Sequence, residues 1–165
     1  MRIFRSIVLS IKAIILDLIS IGLSFSALVI VFKFGIGTYQ LQQIEAWVLV
    51  LLFVILFGLS MDYEIFIVSR MREARDRGSD NVDAIREGMQ ASGTVVTAAA
   101  LIFITALTGL ITGHFAGLQQ LGVGLAIGVI VDATIIRGLL LPSAMVLLGR
   151  WNWWVPTQRK TPTLK

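Results

Sequence analysis

The sequence predicts an all-α membrane protein, a bundle of four transmembrane helices. Of its 165 residues 56% are hydrophobic and 15% charged, well away from the balance of a soluble domain. The apolar residues gather into four segments of about 20 residues, the length a helix needs to cross about 30 Å of hydrocarbon at about 1.5 Å per residue. Lys and Arg flank these segments, and no alternating strand pattern competes with them.

Residues 1–12 are expected to form a cytoplasmic segment carrying Arg2, Arg5 and Lys12. The opening MRIFRSIVLS has a basic start, but no small-residue cleavage site follows, and the apolar run behind it is too long for a signal peptide. It is expected to stay in the membrane. The membrane domain, residues 13–149, begins with a first span at 13–32, followed by a Gly- and Gln-containing loop at 33–43. The second span covers 46–70. After it comes EARDRGSDNVDAIREGMQA, in a cytoplasmic loop at 72–91. Its mixed charges, its central Gly78 and Ser79, and Val82, Ile85 and Met89 on one helical side predict a short surface helix.

The third span, 94–111, and the fourth, 121–148, are separated by the tight turn TGHFAG. Pro142 predicts a kink in the fourth span, tolerated because neighbouring helices in a bundle can satisfy the freed carbonyl. A cytoplasmic tail, 150–165, completes the chain, with Trp151, Trp153 and Trp154 expected at the headgroup level.

Orientation follows from the cations. Arg2, Arg5, Lys12, Arg72, Arg75, Arg77, Arg86, Arg150, Arg159, Lys160 and Lys165 fall on one side against Lys33 on the other, so both termini are expected in the cytoplasm. A net charge of +4 does not point to nucleic acid, because the cations flank apolar segments and form no face of their own. There is no cysteine and one histidine, which excludes disulfides, thiolate metal sites and a conventional zinc site. No Ser-His or metal constellation suggests an intramembrane hydrolase. GVGLAIG, residues 122–128, has the wrong spacing for a dinucleotide loop and reads as helix packing.

The chemistry lies in the charges that the spans carry, since an ionised side chain in hydrocarbon costs at least about 2.5–3.5 kcal/mol. Counting about 1.5 Å per residue, Asp62 lies roughly 24 Å, Asp132 roughly 16 Å and Arg137 roughly 24 Å below the outer face. Asp132 and Arg137 are five residues apart, about 140° around an α-helix, so each is expected to look to another helix and Arg137 to approach Asp62. Gly124 and Gly128 precede Asp132 at four-residue intervals and Gly58 precedes Asp62 by four, so both acids are expected on closely packed inner faces.

Burial favours a neutral carboxyl and a nearby guanidinium favours a charged one, and the balance can leave an acid able to exchange a proton. The alternative is a static ion network that holds the bundle together. Tyr63 adds a phenol able to donate to a carboxylate on a facing helix. The hydroxyls of Thr97, Thr105 and Thr108 either line the same polar seam or make ordinary helix-to-helix hydrogen bonds. Glu64 points away from Asp62, toward the cytoplasmic end, where pairing or snorkelling would explain it as well as function. Asp17 reads as an interfacial partner for Lys12, and His114 as a solvated loop imidazole.

FGLSMDYEIFIVSRMREARDRG, residues 57–78, and LQQLGVGLAIGVIVDATIIRGLLLPSAMVLLGRWNWWVP, residues 118–156, resemble the closing helices of MMPL transporters, proton-driven lipid exporters of the RND superfamily. The resemblance covers essentially the whole chain, more loosely in the first span. It implies helices nine to twelve of a membrane domain built from two pseudo-equivalent halves, each with an external porter domain. It further implies that Asp62 and Tyr63 belong to a proton relay facing an Asp-Tyr pair on the other half, with Asp132 and Arg137 as supporting members. Asp17 stands where the resemblance leads one to expect asparagine.

The implied partners are the lipid bilayer, the remaining half and porter domains, and a lipid or other hydrophobic cargo. The coupling ion is the proton, with no cofactor and no covalent catalysis, in the bacterial plasma (inner) membrane. By itself the chain is expected not to transport, as a gene fragment or one piece of a split transporter. The alternatives are a non-transporting tetraspan scaffold and an inert truncated gene product.

Overall fold

The computed structural model describes residues 7–34 and 43–149, and every regular element among them is helical. Helix α1 is Ile7–Lys33, α2 is Ala46–Asp76 and α3 is Asn81–Ile111. The fourth long helix has three parts: α4, Ala116–Val131; a π-helical stretch, Asp132–Leu140; and α5, Leu141–Leu148. Four helical segments are long and apolar enough to cross a membrane, matching the four expected spans. The proposed indole anchors, and the cations Arg2, Arg5, Arg150, Arg159, Lys160 and Lys165, lie outside the described residues.

α4 is the central element, packing against α1, α2 and α3. Ten of its residues from Gly117 to Val129 are buried, as expected of a helix that is apolar on all sides and enclosed by neighbours. Lipid offers no hydrophobic contrast to drive such helices together, so close backbone approach must supply the packing. A methyl group at Gly124 would collide with Leu52, and one at Gly128 with Leu56 and the Ser24 hydroxyl. One end of the core is latched by the fully buried Gln120, whose Nε2 donates to the Gln43 carbonyl at 2.9 Å and whose Oε1 accepts from the Glu45 amide at 3.0 Å.

The polar stretch 72–91 is not a separate surface helix. Its first part extends α2 to Asp76 and its second opens α3 at Asn81, so the chain reverses within four residues, Arg77–Asp80. Arg, Glu, Ala and Met propagate helices well, and nothing stops a helix at the bilayer boundary. Gly78, at φ +102°, supplies the left-handed backbone that the reversal needs. Arg75 donates to the Ser79 carbonyl at 2.8 Å, while Ser79 and Arg77 both donate to Glu87, at 2.9 and 3.1 Å.

Beyond the turn, α2 and α3 approach each other closely at Gly88. A methyl there would meet the Met71 side chain and, at 2.7 and 2.8 Å, its backbone N and Cα. Backbone cannot swing aside. Gly88→Ala is therefore expected to push the two helices apart and destabilise the protein by about 1–3 kcal/mol, read as a lowered melting temperature in mild detergent. Gly58→Ala is the control: its added methyl meets nothing within 4 Å and should leave stability unchanged or slightly higher.

Candidate functional site

The buried stripe of α2 runs Val48, Leu52, Leu56, Ser60, Glu64, Ile67 and Met71, at intervals of three and four residues. Helical periodicity thereby carries Ser60 and Glu64 into the bundle and turns Asp62, two residues from each, to the opposite face. α1 contributes a second polar stripe, with Lys12, Asp17, Ser20 and Ser24 all buried. The fourth helix brings Asp132 and Arg137, also buried.

These groups meet around one hydroxyl. Ser60 Oγ lies against Asp17 Oδ1 and 3.0 Å from Asp132 Oδ1. Arg137 Nη2 donates to the same Oγ at 2.8 Å and also to the Ser60 carbonyl, while its Nε donates to Asp132 Oδ2 at 2.7 Å. The guanidinium carbon sits 5.2 Å from the centre of the Tyr63 ring, a cation–π contact. A separate ion pair lies nearby, Lys12 Nζ to Glu64 Oε1 at 3.7 Å, both side chains 8% exposed.

Two expectations are overturned here. Asp132 and Arg137 do pair with each other, because the helix between them is π-helical and not α-helical. With hydrogen bonds from residue i to i+5, five residues complete roughly one turn and the two side chains share a face. The Leu141 amide shows the pattern, reaching back to the Ile136 carbonyl. This stretch ends just before Pro142, so the irregularity expected at the proline takes the form of widened turns ahead of it. Arg137, occupied by Asp132 and Ser60, is not directed to Asp62 as expected.

Asp132 is inward, as its glycine stripe implied. Asp62 is not: it is exposed on the outer face of α2 and has no hydrogen bond or ion pair among the described residues. A methyl added at Gly58 would likewise meet nothing within 4 Å, so this half of the small-residue pattern marks no close approach among the described residues. Tyr63, half-buried, sits between the outward acid and the inward guanidinium.

Lys12 takes Glu64 as its partner, leaving Asp17 to Ser60, which reverses the expected Lys12–Asp17 pairing. The hydroxyls of Thr97, Thr105 and Thr108 are exposed and donate to carbonyls of their own helix at 2.8, 2.7 and 2.6 Å, so they line no inner seam. His114 is exposed in the turn before α4.

Sequence reasoning missed Ser60 altogether and gave Asp17 a peripheral role. A signal existed in each case. Ser60 precedes Glu64 by one helical turn, and Asp17, Ser20 and Ser24 recur at three and four residues in an otherwise apolar span. Chemically, the assembled groups can fix three helices to one another and can hold or release a proton.

The family model described as MMPL family matches residues 1–164. A membrane protein of Streptomyces coelicolor is 42% identical over 156 residues, covering 92% of this chain and 22% of that protein. The mycolic acid-containing lipids exporter MmpL11 of Mycolicibacterium smegmatis is 35% identical over 156 residues, 92% of this chain and 16% of the exporter. The trehalose monomycolate exporter MmpL3 of the same organism is 38% identical over 161 residues, 95% of this chain and 16% of the exporter. The chain thus spans about a fifth or less of the length of these relatives.

Proposed function

The chain belongs to the MMPL family, and on that premise we propose that it is part of the proton-translocating membrane domain of an exporter of lipids or other hydrophobic molecules. Transport then requires the further segments that its longer relatives possess, so these four helices alone do not move cargo. The protein sits in the bacterial inner membrane with both ends of the chain cytoplasmic. Its role is proton-coupled movement of cargo, without covalent chemistry.

The observation that carries this reading is Asp62, an acid on the outer face of an apolar helix with no hydrogen-bond or ion-pair partner among the described residues. A carboxylate facing acyl chains costs at least about 2.5–3.5 kcal/mol, so the reading supplies a second set of helices that covers this face. Tyr63, next to Asp62 in the chain and half-buried, has its ring against Arg137 and so links the outer acid to the inner network. Protonation of Asp62 discharges the acid at that interface and favours a different packing of the two sets of helices. The names of the MmpL relatives support a lipid cargo.

The test is proton flux into vesicles containing the complete transporter, parent against Asp62→Asn. Flux that falls to the leak of empty vesicles supports the reading. Undiminished flux replaces it with a non-transporting scaffold.

A further inference from the structure

We propose that Asp17 is a second proton-binding carboxyl, buried inside the bundle and separate from Asp62. For its use in transport the inference rests on the proton-coupled reading; the protonation itself follows from the geometry of the network.

The hydrogens around Ser60 decide it. A serine hydroxyl has one hydrogen to donate and two lone pairs to accept with. Arg137 Nη2 donates to Oγ at 2.8 Å and occupies one lone pair. Asp17 Oδ1 and Asp132 Oδ1 both lie within hydrogen-bonding reach of that oxygen, but the hydroxyl hydrogen serves only one of them. A second ionised carboxylate would set lone pair against lone pair. A hydrogen on one of the two acids removes the conflict and completes the valence of the hydroxyl.

Charge leads to the same count. The charged groups buried with Asp17 in the bundle are Asp132 and Arg137 on the fourth helix and the Lys12–Glu64 pair of α1 and α2. Three carboxyls therefore share two cations. Burying an uncompensated charge costs several kcal/mol, and a single added proton makes the cluster neutral.

The pairings say which acid holds that proton. Asp132 receives Arg137 Nε at 2.7 Å, and Glu64 has Lys12 at 3.7 Å. Asp17 has neither cation in contact, and its Oδ2 has no hydrogen-bond partner among the described residues. The consistent pattern runs from Asp17 O–H to Ser60 Oγ, and from the Ser60 hydroxyl to Asp132 Oδ1, with Arg137 closing the ring from Nε and Nη2. Release of the Asp17 proton leaves the cluster with one negative charge in excess, which the contact between α1 and α2 must then accommodate.

Infrared spectroscopy of the full chain in lipid bilayers tests this, because the C=O stretch of a protonated carboxyl is resolved from carboxylate and amide bands and shifts in D2O. At neutral pH the parent is expected to show such a band, and Asp17→Asn to lose a component of one carboxyl per chain. Asp62→Asn and Glu64→Gln should both retain that component. Asparagine can itself donate a hydrogen to Ser60, so the fold should be kept. Should Asp17→Asn nevertheless fail to fold, Asp17→Glu keeps the acid and should displace the band. A parent spectrum without the band, or an unchanged band in either Asp17 variant, overturns the proposal. Undiminished proton flux in Asp62→Asn would overturn the relay reading alone and leave this assignment standing, since the spectrum does not depend on transport.

Discussion

Arg137→Met is expected to destabilise the bundle by about 3–5 kcal/mol, the range for removing one partner of a buried ion pair. The guanidinium satisfies Asp132, the Ser60 hydroxyl and the Ser60 carbonyl together, and lies over the Tyr63 ring. Methionine fills much of the same volume but donates nothing, and it leaves three buried carboxyls to the single cation Lys12. Arg137→Lys should recover little, because one ammonium cannot reach all of these groups at once. Combining Arg137→Met with Asp132→Leu removes the stranded acid together with its partner and should recover a large part of the loss. Unfolding of the four proteins in mild detergent measures these differences. A single Arg137→Met variant as stable as the parent would mean that the network does not hold the helices together.

Asp62→Asn is expected to do the opposite: proton flux through the complete transporter falls to the background leak, while stability of the isolated chain changes by less than about 0.5 kcal/mol. The acid is exposed and makes no hydrogen bond or ion pair among the described residues, so its charge is not part of the network that holds the four helices. Asparagine keeps the shape and cannot take up and release the proton. Flux in vesicles and melting in detergent, measured on the same variant, separate the two effects. A large loss of stability would show that Asp62 is a packing residue, and a retained flux would remove it from the relay. The expected results of the two variants thus separate a residue whose charge holds the helices together from one whose proton serves the proposed transport.

The residues that were legible in advance share a property. Asp132 could be placed inward from its own helix, because Gly124 and Gly128 mark a line along which another backbone must approach, and they do meet Leu52, Leu56 and Ser24. The same reasoning misled at Gly58, where an added methyl would meet nothing among the described residues. Arg137 was misjudged because the rotation between it and Asp132 was reckoned on the α-helical repeat. The switch to i→i+5 hydrogen bonding before Pro142 is a small difference in backbone energy that neighbouring helices can decide. Asp17 and Lys12 looked like partners because they are close in sequence, yet each found a better one across the interface with α2.

The sequence by itself determined that there are four membrane helices, roughly where they lie, and which charges they carry into hydrocarbon, because length and polarity are local properties that the bilayer reads directly. Asp132 apart, only the tertiary structure decided which way each charge faces. Lipid and protein interior are equally apolar, so the apolar residues of α2 do not separate its inner side from its outer one, and the spacing of Ser60 and Glu64 is the one weak mark of it. The choice that buried Ser60 and Glu64 and left Asp62 outside was made by the shapes and hydrogen bonds of α1 and of the fourth helix.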